Sequence, residues 1–463
     1  MTLFKNGIVL FLTILLSFTF ISQKSTSRDA PAGHLDNCTL YKWYDPNTNE
    51  EEAKFFVKNC ANCHMAYYKE WISDKHSMSQ NNPFFLSIYS GTNKDGKENI
   101  YPGFRLDHPN QNGNCSLCHN PEAALDNKFD IDLRKAQNTN GISCNFCHKI
   151  ESVDENPLKK GVRGLKVPRV CKGLKDIGFG PLNDIVESTD KVEFKYNELY
   201  KKSLYCAKCH DGFQGNAQIY STFTEWLKSP AAKKGTQCQA CHMQPRGTKE
   251  IIDNPDVKHK IRPHDEIHNH SFLTENPHEF RKKFLDVKIK TKKENNKLIV
   301  TVSVKNKNRG HDFPTGSPMR NAILLIEAKD KEGKELRLIK GSKLSNYAGS
   351  LKDKPGKLFA KILQETSSLY AVKHGEKGIA YRETANKLGI PAHDWWNVYI
   401  ASDTRIKPNK EDISIYEFSV WALHATPIQI NAKLIWRNTW PGLAKIKGFE
   451  LKEDLLIEKK LLL

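Results

Sequence analysis

The chain reads as a two-domain α + β protein, a mostly helical and irregular N-terminal region followed by an antiparallel β-sandwich. Three observations lead there. A short motif, Cys-x-x-Cys-His, recurs five times between Cys60 and His242 and is absent beyond it. After about residue 282 the pattern changes to runs in which apolar and polar residues alternate, the period of a half-buried strand. The apolar fraction is 38%, below the ~45–50% usual for globular chains, while aromatic residues still make up 10%. A disordered chain would be poor in aromatics as well, so something other than side chains has to fill part of the core.

At the N-terminus, Lys5 precedes an apolar run from Gly7 to Ser22. A basic start with a short apolar stretch is the pattern of an export signal, and the run is shorter than the ~20 residues that span a bilayer. No small-x-small cleavage site follows it. Residues 1–24 therefore read either as a signal peptide or as an N-terminal anchor, and 25–54 as a polar linker. In both cases the body of the chain is expected outside the cytoplasm, in the periplasm or at the cell surface.

Ten of the twelve cysteines fall in the five motifs. These are Cys60 and Cys63 with His64, Cys115 and Cys118 with His119, Cys144 and Cys147 with His148, Cys206 and Cys209 with His210, and Cys238 and Cys241 with His242. This is the attachment motif of haem c. Two thiols two residues apart form thioethers to the two vinyl groups of one porphyrin, and the next residue offers its imidazole to the iron. Zinc knuckles and disulfides also use paired cysteines. Neither explains a histidine after the second cysteine all five times. Five covalently bound haems are expected, each burying a large apolar face, and residues 55–282 form the expected pentahaem domain. Cys38 and Cys171 are left over, either as a disulfide or as two inert thiols.

The motif histidines are 55, 29, 62 and 32 residues apart, which pairs sites two and three, and sites four and five, along the chain. A row of haems packed as pairs suits electron transfer, since tunnelling decays steeply with distance. Iron held by two imidazoles shuttles electrons, whereas an open iron does chemistry. Of the remaining histidines, His76, His108, His259, His264, His268, His270, His278 and His311 sit in or beside the motif region. His76 lies on a helical stretch after the first site, and His264, His268 and His270 cluster within seven residues, which favours them as second ligands. His34, His374, His393 and His424 lie in the linker or the motif-free part and read as ordinary residues.

The motif-free third carries alternating runs at 284–290, 297–304, 321–327, 335–339, 413–421 and 428–436. Six or seven short strands between turn signals suggest the sandwich, expected over 283–450 with a C-terminal tail at 451–463. The stretches 341–360 and 372–394 read as long loops with some helix. Charge divides unevenly. Residues 1–280 hold 35 Lys and Arg against 33 Asp and Glu, net +2, and residues 281–463 hold 36 against 20, net +16. That asymmetry is either a solvated lysine-rich surface or a docking face for an acidic redox partner, a membrane surface or an assembly contact. Nucleic acid suits an exported redox protein poorly.

The motif region resembles the multihaem cytochromes related to the tetrahaem electron carrier of ammonia oxidisers, a group bordering hydroxylamine oxidoreductase. The resemblance covers roughly residues 55–275. It rests on Cys60 to His64 followed by Glu70, Trp71 and His76, on Gly141 to Ile150, and on Thr236 to Met243 with His270 downstream. It implies that His76 and His270 are distal ligands, often to a haem other than the nearest in sequence. The run Gly310 to Gly316 looks like a motif of a sandwich appended to some of these cytochromes, which implies that His311 reaches back to a haem. A fifth motif and the sandwich depart from the tetrahaem carrier. An electron carrier is the leading reading. One alternative is a multihaem reductase of nitrite or hydroxylamine type with one open haem, although the Cys-x-x-Cys-Lys motif common there is absent. Another is a structural subunit of an extracellular cytochrome assembly.

Overall fold

The computed structural model describes residues 38–39 and 60–463, apart from 127–128, 136–140, 169, 172–175, 185–191, 254–259, 273–275, 367–368 and 421–426. The apolar N-terminal run, His34, His259 and His424 lie outside the described residues, as do the side chains of Cys38 and Cys171. Among the described residues no helix is long and apolar enough to cross a membrane.

The chain from Leu285 onward is a β-sandwich. Its strands are β1 (Leu285–Glu294), β2 (Lys297–Asn306), β3 (Asn321–Lys329), β4 (Leu338–Lys340), β5 (Gly356–Glu365), β6 (Val398–Asp403), β7 (Glu411–Ser419), β8 (Gln429–Arg437) and β9 (Glu453–Leu462). They form a four-stranded sheet in the order β4-β7-β2-β1 and a five-stranded sheet in the order β6-β5-β3-β8-β9. On β2 the alternation works as expected: Leu298, Val300, Val302 and Val304 are buried, while Ile299, Thr301 and Ser303 between them are only half-buried. The inward residues of β1, β2 and β7 form one apolar core with Ala322, Leu324 and Ile326 of β3 and Ile430, Ala432 and Leu434 of β8. Period-two burial on two facing sheets is what makes these runs strands.

Residues 451–463, expected as a tail, instead form β9, which pairs antiparallel with β8 from Gln429↔Leu462 to Arg437↔Glu453. The charged run Glu458-Lys459-Lys460 hides the strand because β9 is an edge, where one face meets water. The stretch 341–360, expected as a loop, ends in the first half of β5, and β6, where the sequence shows no alternating run, pairs with β5. On β3 and β5 both faces are covered: beside the sandwich core, Ile323 and Leu325 of β3 pack with Leu344 and Ala348, and β5 contributes to a second, larger apolar cluster, so the alternation that marks a half-buried strand is weak there.

That second cluster joins sandwich to motif region. Ile88, Ala217 and Ile219 pack with Ala360, Ile362, Leu363, Trp440 and Leu443. Polar groups pin the same seam. Lys447, on a short helix Pro441–Lys447, is fully buried and gives its ammonium to the carbonyls of Ser87, Thr92 and Ile100 at 2.9, 2.8 and 2.7 Å. Arg405 bonds Glu225 of the motif region at 2.6 Å and Asp403 and Asp312 of the sandwich at 2.8 and 3.2 Å.

Candidate haem sites

Each motif is a single helical turn: residues 60–63, Ser116–His119, Cys144–Cys147, Ala207–His210 and Gln239–His242. In a helix, residues three and four apart share a face. The two thiols and the following imidazole of each motif therefore converge on one side, as a group attached at all three points requires. At the third motif Ser143 caps the turn, its hydroxyl accepting from the amide of Phe146 at 3.0 Å.

The imidazoles are prepared for an iron. His64, His119, His148 and His242 direct Nδ1 at the carbonyls of Ile251, Ser79, Phe179 and Phe272, at 2.8–3.0 Å. A carbonyl only accepts, so Nδ1 carries the proton and Nε2 of the neutral ring holds a free lone pair. Metal-bound histidines are usually oriented by such a bond. Burial holds the rings of His119, His148 and His242 neutral, the last down to about 4 with help from His311. His210 is surrounded closely enough for burial, and next His76, to push it down to about 3, yet its own surface is exposed. A side chain with both properties borders an internal void. Arg320 does the same: burial lowers its pKa, its surface is exposed, and its guanidinium bonds the carbonyl of Thr315 at 3.2 Å. The motif residues therefore fit a large planar group at several points.

The sites crowd together. The thiols of Cys118 and Cys209 lie close enough to act on each other electrostatically, as do those of Cys206 and Cys238. Site four thus adjoins site five, as their chain spacing suggests, and also site two. Sites one and three are close enough for His64 to act on His148.

Three of the expected second ligands stand opposite motif histidines. His76 lies with its ring centroid 6.1 Å from that of His210, the planes at 69°. His270 is 6.3 Å from His148 at 26°, and His311 is 6.3 Å from His242 at 28°. His76 and His270 do not pair with the motif nearest to them in sequence, whereas His311 does. Each also uses Nδ1 elsewhere: His76 bonds the Asp74 carboxylate at 2.6 Å, His270 the carbonyl of His268 at 3.2 Å, and His311 the carbonyl of Asp312 at 3.0 Å. His268 bonds the carbonyl of Met243 at 2.6 Å and does not meet a motif histidine. His264 is exposed, apart from the other rings, and His278 bonds Asp454. Among the described residues no second imidazole stands at this spacing from His64 or His119.

Helix α1 (Met65–Ile72) and the turn after it assemble two of these pairs. Glu70 accepts the backbone amide of His270 at 2.8 Å and is held by Arg246 at 2.8 Å. Trp71 donates to the carbonyl of Ile142 at 2.8 Å, just before the third motif, and Ile142 returns its amide to the carbonyl of His76 at 2.9 Å. Gly141, at φ +60°, lies so close that a Cβ would stand 2.5 Å from that carbonyl, which is why glycine is needed there.

Residues 59–149 match the family model described as cytochrome c554 and c-prime. The fold is similar to that of a penta-heme cytochrome c552 from Thermochromatium tepidum, with a TM-score of 0.59 and 19% identity over 88% of this chain and 98% of that one. No curated protein matches. With the five motifs, these likenesses support a multihaem c-type cytochrome. Its haem c is covalently bound, and the helical motif region with its appended sandwich is the α + β architecture expected from the sequence. Absent from the sequence signals were the roles of Glu70, Asp74 and Arg320, charged residues that look like ordinary surface positions until the fold closes over them.

Proposed function

We propose that this cytochrome carries five haems and moves electrons along them outside the cytoplasm. The observation that carries the reading is the set of three histidine pairs. An imidazole nitrogen lies about 1.1 Å from its ring centroid and an imidazole–metal bond is about 2 Å, so two imidazoles on one iron put their centroids about 6.2 Å apart. The observed 6.1, 6.3 and 6.3 Å match that value. His210 with His76, His148 with His270, and His242 with His311 would then hold the irons of sites four, three and five from both sides. Such irons have no vacant position and favour electron transfer. Haem supplies the redox change; the chain supplies ligands, fixed orientation and exclusion of water. Arg320, whose exposed guanidinium lies near enough to His210 to act on it, is suited to pair with a haem propionate. The thiol contacts between sites two, four and five support haems close enough for fast exchange. The net +16 of residues 281–463 favours an acidic redox partner.

The test is stoichiometry and ligation together. Fully matured protein should carry five covalent haems by intact mass and pyridine haemochrome assay, with at least three low-spin irons. Fewer haems, or predominantly high-spin iron, would overturn the reading.

A second reading is favoured by site two. His119 has no imidazole partner among the described residues, and polar groups act on its site: Asp394 on both His119 and Cys115, and Lys160 on Cys118. Asp394 accepts the hydroxyl of Tyr220. An iron there with an open position would make the cytochrome a reductase of small ligands. Cyanide binding to one ferric iron per chain would support it, and none would exclude it.

A further inference from the structure

A continuous column of rings leads away from His119. Phe85 stacks on it at 3.9 Å and 4°, Tyr89 follows Phe85 at 6.3 Å, Phe104 follows Tyr89 at 5.7 Å, and Trp395 follows Phe104 at 6.4 Å. Trp395 stacks on His393 at 4.7 Å and 10°. The column ends in a buried pair whose atoms are 2.6 Å apart, the Tyr381 hydroxyl and His393 Nε2. The indole N–H groups of Trp395 and Trp396 both donate to one carboxylate oxygen of Asp107, at 2.7 and 2.8 Å. Packing alone explains rings in contact. It does not explain a phenol buried against a neutral imidazole, or two indoles sharing a carboxylate, which are the arrangements that let an aromatic ring lose an electron and hand its proton to a fixed base.

We propose that Tyr381 is a redox-active tyrosine and that this column carries oxidising equivalents from site two to it, protecting the haems from hydroperoxides. The proposal rests on the second reading, an open position at site two. Reduction of one hydrogen peroxide to two waters takes two electrons, supplied by the reductant through Tyr381, and two protons, taken from solvent at site two. Each electron leaves Tyr381, passes along Trp395, Phe104, Tyr89 and Phe85, and reaches site two. The O–H bond of Tyr381 breaks and its proton moves to His393 Nε2. A one-electron reductant then restores the tyrosine, with the proton returning from His393, and two such cycles balance one peroxide. Tyr89 and Trp395 are the oxidisable stations, and no gap between successive ring centroids of the column exceeds 6.4 Å.

The test uses ferric holoprotein, mixed with hydrogen peroxide and frozen for electron paramagnetic resonance, with ascorbate as the reductant in a parallel bleaching assay. A tyrosyl radical is expected in the unaltered protein. Tyr381→Phe should remove it and bleach haem several-fold faster, and Trp395→Phe, which keeps Tyr381, should also suppress it. Tyr416→Phe, in the sandwich core, should change neither. No radical in the unaltered protein, or the same radical in Tyr381→Phe, would overturn the proposal; a radical that persists in Trp395→Phe would overturn the route. Protein that binds cyanide without forming the radical removes this inference and leaves the second reading standing. Protein that does neither removes both.

Discussion

The planes of the three histidine pairs make a prediction that distance alone does not. At sites three and five the rings lie within 26° and 28° of parallel, while His76 and His210 cross at 69°. Near-parallel imidazoles split the iron orbitals and give rhombic low-spin signals; near-perpendicular ones leave two orbitals almost degenerate and give a strongly anisotropic signal with one large g value. The ferric protein should therefore show both kinds. Replacing His76 by Ala should delete the strongly anisotropic signal and add one equivalent of high-spin iron, with no loss of covalent haem, since Cys206, Cys209 and His210 remain. Asp74→Asn is the subtler perturbation. The carboxylate sits 2.6 Å from Nδ1 of His76 and is almost wholly buried, so it strengthens the ligand toward ferric iron. Orienting partners of this kind are typically worth about 10–100-fold in metal affinity. At about 59 mV per tenfold for one electron, the potential of one haem should rise by about 60–120 mV while its signal survives. Spectroelectrochemistry with frozen-solution spectra reads both changes. If His76→Ala removes a rhombic signal, or none, then His76 does not serve site four.

Other outcomes follow from the seam between the two regions. Arg405→Met leaves Glu225 without its cation and Asp312 and Asp403 with Lys407 alone, which should cost about 3–5 kcal/mol in denaturant unfolding and loosen His311 next to Asp312. Burial raises the pKa of Glu225, but Arg405 and the hydroxyls of Ser221 and Thr315 outweigh it, leaving the pKa depressed. A depressed carboxyl stabilises the fold above its unfolded pKa and loses that contribution as pH falls through the folded value. Glu225→Gln should flatten the acid limb of the stability curve below about pH 4.5; an unchanged limb would remove Glu225 from it. Lys447→Met takes the ammonium from the carbonyls of Ser87, Thr92 and Ile100, of which Ser87 keeps the amides of Gly91 and Thr92, and should lower stability by about 3 kcal/mol, visible as a lower midpoint with all haems retained. Replacing Lys288, Lys290 and Lys292, exposed on β1, by Glu should slow electron exchange with an acidic partner at low salt. The difference should vanish near 1 M salt, where the Debye length is about 3 Å. A salt-independent deficit would mean that β1 is not the docking face.

Much of this protein can be read without coordinates. Three thiol-and-imidazole ligands in five consecutive residues share one helical face by helix geometry alone, so haem attachment is a local property. The strands β1, β2 and β7 are equally local, because each turns one face to the core and the other toward water. Their period-two burial is written directly in side-chain polarity. What the chain could not declare is everything that depends on closure. Strand β5 is covered on both faces and β9 is a charged edge, so neither alternates cleanly. The resemblance singled out His76, His270 and His311. Only the fold set them against His210, His148 and His242, and it left His264 and His268 apart from any motif histidine. A histidine becomes a second ligand only when another segment arrives about 6 Å away across a void, and that distance is a property of two segments, which neither encodes alone.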